Sequence, residues 1–267
     1  METISVGVHG ALGKMGREIM AAVSADAALK LIGAVDIKAE ADSVSVGSSG
    51  IPLYKSLKTF IDKSKPQVIV DFSIAEASME AIRIATKAGI NMVVGTTGFS
   101  ASDTAEINRL AKDNGVGIIF SPNFALGAVI MMHLSKIAAK YCDNVEIIEM
   151  HHDQKADAPS GTALATAKAM IDARQGKPFK YPETRKDNLA GSRGGQMDGV
   201  AVHSVRLPGF VASQEVIFGI QGQTLKIRHD AINRECYMPG IILSVKEVLK
   251  KKGTVHSLED LLQLGGK

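Results

Sequence analysis

Cysteine is scarce in this chain. Cys142 and Cys236 are the only two, 94 positions apart, and neither belongs to a Cys-x-x-Cys pair, which argues against a disulfide framework or a cysteine-ligated metal. Long apolar stretches are missing too. The longest wholly uncharged apolar run, Phe124 to Met132, is nine residues, far below the roughly twenty that span a bilayer. No basic segment with an apolar signal core precedes the first strand-like stretch, so the expected setting is cytoplasmic, without a membrane partner. Basic residues form a dense run only at Lys250, Lys251 and Lys252. They follow a C-terminal helical pattern, where cations complement the helix dipole, and with a net charge of only +3 nucleic acid gains no support as a partner. Internal repeats and low-complexity tracts are absent.

What remains is an ordinary globular composition, 45% hydrophobic and 22% charged over 267 residues, suited to one large or two modest domains. Ile4, Val6 and Val8 alternate with small or polar residues and predict a strand. It runs directly into Gly10-Ala11-Leu12-Gly13-Lys14-Met15-Gly16, followed by helix formers from Arg17 to Val23. Strand, glycine loop and helix in that order are the context of a dinucleotide fingerprint, although Leu12 takes the place of the usual second glycine. A second strand, Leu29 to Val35, ends at Asp36, whose carboxylate can accept hydrogen bonds from the adenosine ribose hydroxyls. Ile37 follows, where an arginine would welcome NADPH, and Lys38 is the near cation in the sequence.

Three more strand-then-helix units follow. Gln67 to Val70 leads through Asp71-Phe72-Ser73 to a helix at Ala75 to Ala88. Ile90 to Val94 leads through Gly95-Thr96-Thr97-Gly98-Phe99 to a helix at Ser102 to Asp113. Val116 to Phe120 leads through Ser121-Pro122-Asn123-Phe124 to a helix ending near Tyr141. Such alternation predicts a doubly wound parallel sheet of Rossmann type, with ligands at the carboxyl ends of the strands. Then the pattern changes to strands at 145–150, 200–207, 211–220 and 224–230, a helix at 160–173 with Leu164, Ala167 and Ile171 on one face, and a hairpin turn at Gln221-Gly222-Gln223. These read as an α+β domain with an open mixed sheet. Arg174 to Gly199 lacks periodicity and reads as a long functional or mobile loop, in which Arg193-Gly194-Gly195 could meet an anion. Amphipathic patterns at 239–251 and 257–264 end the chain.

The densest chemistry lies in residues 146 to 164, EIIEMHHDQKADAPSGTAL. A strand delivers His151, His152 and Lys155. Pro159 then biases Ala158 away from helix, and Ser160 caps a helix whose first amides, at Gly161 and Thr162, form a ready anion site. Adjacent histidines on a strand face opposite ways, which argues against one metal ion between them. The pattern suggests an anionic substrate beside groups that move protons; the plain alternative is two strand-edge histidines and a solvated lysine.

The run HHDQKADAPSGTA closely resembles the signature of the 4-hydroxy-tetrahydrodipicolinate reductase (dihydrodipicolinate reductase) family, and the resemblance extends from Val6 to about Gly240. It implies a pyridine-nucleotide-dependent step toward diaminopimelate and lysine, with NADH or NADPH as cofactor, a cyclic dicarboxylate as substrate, and a homotetramer built through the second domain's sheet. It implies a nucleotide domain of residues 1–123 and 235–267 and a substrate domain of 124–234. By resemblance His151 is the acid/base and Lys155 the proton donor, with His152, Ser160, Gly161 and Thr162 on the substrate. The residues from Gly10 to Gly16, with Asp36 and Lys38, hold the cofactor, while Phe72, Gly95, Thr96, Thr97, Ser121, Pro122, Asn123 and Phe124 line its nicotinamide side. Two rivals stand beside this reading: another two-domain dehydrogenase of amino-acid pathways, such as one acting on an aspartate semialdehyde, and a non-catalytic dinucleotide sensor.

Overall fold

The computed structural model describes residues 3–186 and 188–265. In chain order they form β1 (Ile4–His9), α1 (Lys14–Ala25), β2 (Leu29–Val35), β3 (Ser43–Val46), β4 (Ser49–Tyr54), α2 (Leu57–Ser64), β5 (Val68–Asp71), α3 (Ala75–Lys87), β6 (Asn91–Val94), α4 (Ala101–Asp113) and β7 (Gly117–Phe120). There follow α5 (Leu126–Ala139), β8 (Asn144–His151), α6 (Gly161–Ala173), β9 (Gly195–Met197), β10 (Val200–Arg206), β11 (Ala212–Ile220) and β12 (Gln223–Ala231). A 3-10 turn, Arg234–Tyr237, then precedes α7 (Met238–Val248), β13 (Gly253–Val255) and α8 (Leu258–Leu261). The described residues fall into two compact units, one within Met1–Leu126 and Arg234–Lys267, the other within Gly127–Asn233.

The first unit carries a sheet in the order β13-β7-β6-β5-β1-β2-β4-β3. Its pairs are parallel except β3 with β4. Strands covered on both faces must be apolar throughout. Val6, Val8 and Val68 through Val70 accordingly have no exposed surface. The β3–β4 hairpin, α2 and β13 were not expected from the sequence. β13 is three residues long, too short to show a period. β3 and β4 are interrupted by Ser, Gly and Pro, which hide the alternation a hairpin normally shows.

The second unit is a five-stranded mixed sheet, β12-β11-β8-β10-β9, with β10 parallel to β8 and β11 antiparallel to it. Its inner face packs Val145, Ile147, Val216 and Phe218 against α6. The helix buries Ala163, Thr166, Ala167 and Met170, so the expected stripe is rotated: Leu164 is exposed and Ile171 only half-buried. Small side chains let α6 lie close to the sheet, which selects the alanine face over the leucine. The hairpin turn is Gln221-Gly222 alone, because Gln223 already pairs with Ile220.

The stretch expected to be a loop, 174–199, contains β9 and is anchored at its root by Arg174. This buried guanidinium donates to the carbonyls of Ala139, Cys142, Lys177 and Pro178 and to Asp143, and stacks on Phe179 at 4.3 Å. Arg193, read as a possible anion contact, instead donates to Glu146 at 2.6 Å, and Glu146 also meets His203. Lys177, Arg174 and Lys180 all reach Asp143 and hold its carboxyl well below the usual 3.8. A depressed folded-state pKa gives a contribution that is complete above 3.8 and lost as pH falls toward the depressed value. Asp143→Asn should therefore melt below the unaltered chain at neutral pH, and the gap in Tm should narrow as pH drops below 3.8. Melting curves of the two proteins between about pH 7 and about pH 2.5 check this, and a gap that stays constant would rule it out.

Candidate active site

The fingerprint loop is shaped by its glycines. Gly10 has φ +78°, and a Cβ there would lie 2.6 Å from the Phe72 carbonyl; a Cβ on Gly16 would lie 2.2 Å from the Gly10 carbonyl. No side chain at either position can be accommodated, so the loop closes tightly onto α1. The N-cap of α1 is Gly13, which offers no capping side chain, and the first helical amides are left for a ligand. At the end of β2, Asp36 accepts from the amides of Leu12 and Lys38, both at 2.9 Å. These groups border a cavity of ≈ 910 Å³ whose lining includes Gly10, Leu12, Gly13, Asp36, Lys38 and Phe72. Ala11 and Gly16 are buried beneath the loop, while Lys14 and Met15 begin α1 outside the cavity lining. The same cavity is lined by Lys55, Ser56 and Lys58. Lys38 is thus not the only cation near Asp36. The others come from the end of β4 and the start of α2, which no motif in the sequence marks.

At the carboxyl ends of β1, β5 and β6 a buried carboxylate gathers four side chains. Asp71 meets His9 Nδ1 at 2.6 Å, Ser73 Oγ at 2.8 Å and Thr96 Oγ1 at 2.9 Å, and the Ser78 hydroxyl as well. Thr96 also accepts from the Ser73 amide. Its side chain therefore fixes the loop, whereas Thr97 is exposed beside it. Similarly, the Ser121 hydroxyl donates to the Asn123 carbonyl, Asn123 Oδ1 accepts from the Ala125 amide, and buried Phe124 stacks at 5.8 Å from Phe72. Pro122 is exposed. The Phe72 ring leaves no room for any side chain at Gly95, where a Cβ would approach it to 2.0 Å.

In the second unit the chemistry centres on Glu149, which the sequence reading did not single out. This carboxylate has no exposed surface. It receives Arg206 in a two-pronged pair at 2.8 and 2.9 Å, the Ser160 amide at 3.2 Å, and His151 Nδ1 at 2.5 Å. Glu149 and His151 are two apart on β8 and so share a face; that spacing was the available signal. Arg206 carried none, since it arrives through the parallel register that sets it beside His151. Burial raises the Glu149 carboxyl, but the hydrogen bonds from Arg206, Ser204 and His151 outweigh it, and the net shift is downward. For His151 burial dominates and lowers the imidazole below 6.5, with Glu149 opposing. A carboxylate only accepts, so Nδ1 carries the proton and Nε2 is left with its lone pair.

Lys155 pairs with Asp157 at 2.6 Å, and the Asp157 carbonyl accepts from Arg206, which ties the lysine to the same network. Ser160 caps α6, its hydroxyl accepting from the Ala163 amide. Both its amide and hydroxyl are thus engaged within the protein, and the side chain is buried. Gly161 is exposed, and a Cβ there would meet nothing within 4 Å. The amides of Gly161 and Thr162 head a helix whose cap serves only the third. His152 lies beyond the end of β8 and is exposed. Both cysteine thiols are pushed up by burial, the opposite of an activated nucleophile. Among the described residues no three His, Cys, Asp or Glu side chains are grouped to hold a metal.

A cavity bordered by a glycine loop and an acidic strand end on a parallel sheet, in a chain that also carries a carboxylate-oriented histidine and a lysine, fits a nicotinamide-dependent oxidoreductase. Residues 4–124 match the family profile described as dihydrodipicolinate reductase, N-terminus, and residues 127–262 the one described as dihydrodipicolinate reductase, C-terminus. The chain belongs to this family. It is 52% identical over 266 residues to the 4-hydroxy-tetrahydrodipicolinate reductase of Dehalococcoides mccartyi strain BAV1, covering 99% of this chain and 100% of that protein. It is 46% identical to the protein of the same name in Syntrophomonas wolfei, covering 96% and 97%. The structure of dipicolinate-bound dihydrodipicolinate reductase from Paenisporosarcina sp. TG-14 superposes with a TM-score of 0.87 at 38% identity, over 97% of this chain and 99% of that one. An amine dehydrogenase from Mycobacterium smegmatis, at 13% identity and a TM-score of 0.66 over 96% and 95% of the two chains, shares the fold.

Proposed function

We propose that this protein reduces 4-hydroxy-tetrahydrodipicolinate to tetrahydrodipicolinate with loss of water, using NADH or NADPH. The observation that carries the reading is the Glu149–His151 couple next to the start of α6, where the Ser160 cap serves Ala163 and not Gly161 or Thr162, within the run that bears the family signature. The fingerprint loop itself fits the cofactor: a Cβ on Gly10 would meet the Phe72 carbonyl and one on Gly16 the Gly10 carbonyl, and the start of α1 carries no side-chain cap. When bound, the cofactor supplies the hydride. The rest is done by this chain. The Gly161 and Thr162 amides, with His152, hold a substrate carboxylate. Glu149 fixes the His151 tautomer, so that Nε2 faces the reaction as acid/base. Lys155 exchanges Asp157 for the dianionic substrate and gives up a proton as electron density builds on the conjugated imine left by dehydration. General acid–base help of this kind is worth about 10²–10⁴-fold.

The assay is cofactor oxidation with substrate generated from pyruvate and aspartate semialdehyde, run with NADH and NADPH in parallel. Turnover is expected with both, and NADH should serve at least as well, since Asp36 favours free ribose hydroxyls. A kcat/KM for NADPH more than about tenfold above that for NADH would refute the preference, and no turnover with either would refute the function. The subunits are read as a cytoplasmic homotetramer joined through the second unit's sheet. Supporting this, β12 is an edge strand with Leu225 42% exposed, a surface that invites pairing. Sedimentation of the purified chain as a monomer at micromolar concentration would remove that part of the reading.

A further inference from the structure

Asp36 and Lys55 are 19 positions apart, yet each directly follows the end of one of two paired strands. β2 and β4 run parallel with Val35 opposite Tyr54, and the Asp36 amide donates to the Tyr54 carbonyl at 3.0 Å. The first residue beyond each strand is Asp36 after β2 and Lys55 after β4. Lys55 leads through Ser56, the cap of α2, to Lys58 on its first turn, and all three line the cavity that Asp36 and Lys38 also border. Among the described residues neither Lys38 nor Lys55 has an ion-pair partner, and Lys58 has only exposed Asp62 at 3.7 Å. The Asp36 carboxylate meanwhile is bound by two backbone amides and pairs with none of these lysines.

We infer that Lys55 and Lys58, together with Lys38, form the site that receives the 2′-phosphate of NADPH. The inference rests on reading this cavity as the cofactor site, and assigns residues to one part of it. A phosphate monoester beside the ribose carries up to two charges and would be repelled by a bare carboxylate. Here the carboxylate is partly offset by amides, and three ammonium groups face the same space. Lysines act as mobile point charges without the fork of an arginine. They therefore permit the phosphate without demanding it, and the chain accepts both cofactors. The ribose hydroxyls of NADH meet Asp36, whereas the lysines remain solvated when no phosphate is present.

The test is a fluorescence titration of NADPH and of NADH into the full chain and into the double variant Lys55→Ala/Lys58→Ala. Both positions are exposed, and circular dichroism verifies the fold. The Kd for NADPH should rise about tenfold or more, as expected for losing charged hydrogen bonds, while that for NADH changes by less than about threefold. Lys55→Arg/Lys58→Arg should restore NADPH binding, and added salt should weaken NADPH selectively, because the lost interaction is between exposed charges. An equal loss for both cofactors, or no loss for NADPH, overturns the assignment and leaves the cavity as the cofactor site. If the unaltered chain binds neither cofactor, the reading of the cavity fails and the inference with it.

Discussion

Replacing His151 by glutamine should lower kcat about 10²-fold or more while changing KM less, because the role proposed for the side chain is to move protons rather than to bind charge. Glutamine has similar reach and can still donate to Glu149, so the buried carboxylate keeps a partner and the fold should persist. What disappears is the lone pair of Nε2, the one ring position not consumed by Glu149. Lys155→Ala should behave differently. It removes the proposed proton donor together with a positive charge, and a charged hydrogen bond to substrate is worth about 1.5–3 kcal/mol. Its kcat should fall and its substrate KM should rise. Cofactor binding should survive in both variants, since the fingerprint loop and Asp36 lie in the other unit. Steady-state kinetics with NADH titration decide it. A near-normal kcat in His151→Gln, or loss of NADH affinity in either folded variant, would show the roles to be misassigned.

Arg206→Ala should have the largest effect on stability of any change near the site. It strips a completely buried carboxylate of its two-pronged partner. Removing one member of a buried pair costs about 3–5 kcal/mol, because the remaining charge is left uncompensated. The Glu149 carboxyl is held down chiefly against burial by that guanidinium. Without it the carboxyl should shift upward, and the orientation of His151 should suffer along with stability. A second variant keeps the argument open to test. In Arg206→Met/Glu149→Leu both charges are gone, and much of the lost stability should return even though activity does not. Urea denaturation of the three proteins gives the comparison. A single Arg206→Ala that costs under about 1 kcal/mol would mean the pair is no more than a surface contact.

Much of the site was legible because its parts are close together in the chain. The strand, glycine loop and helix of residues 4–25 are set by alternation, by positions that admit no side chain, and by helix-forming residues, all of which act over a few residues. The same holds for Ser160 as a cap and for His151 and Lys155 in one short run. Glu149 was equally local, two positions before His151 on the same strand face, and was passed over because its surroundings read as an apolar strand. Thr96, Ser121 and Phe124 were expected at the cofactor, and their places at strand ends agree with the order of elements. Their side chains, however, turn inward to Asp71, Asn123 and Phe72, and strand order says nothing about that choice.

The sequence by itself determined the elements and the chemistry carried within each, because helix caps, strand periods and glycine turns are decided by neighbours in the chain. Only the tertiary structure decided which distant segments share a register. The β8–β10 pairing brings Arg206 to Glu149 and His151, the β2–β4 pairing brings Lys55 beside Asp36, and a three-residue strand near the end of the chain completes the sheet edge next to β7. Sheet partners are selected by the burial and backbone hydrogen bonding of the whole sheet, and a residue-by-residue pattern holds no record of that sum.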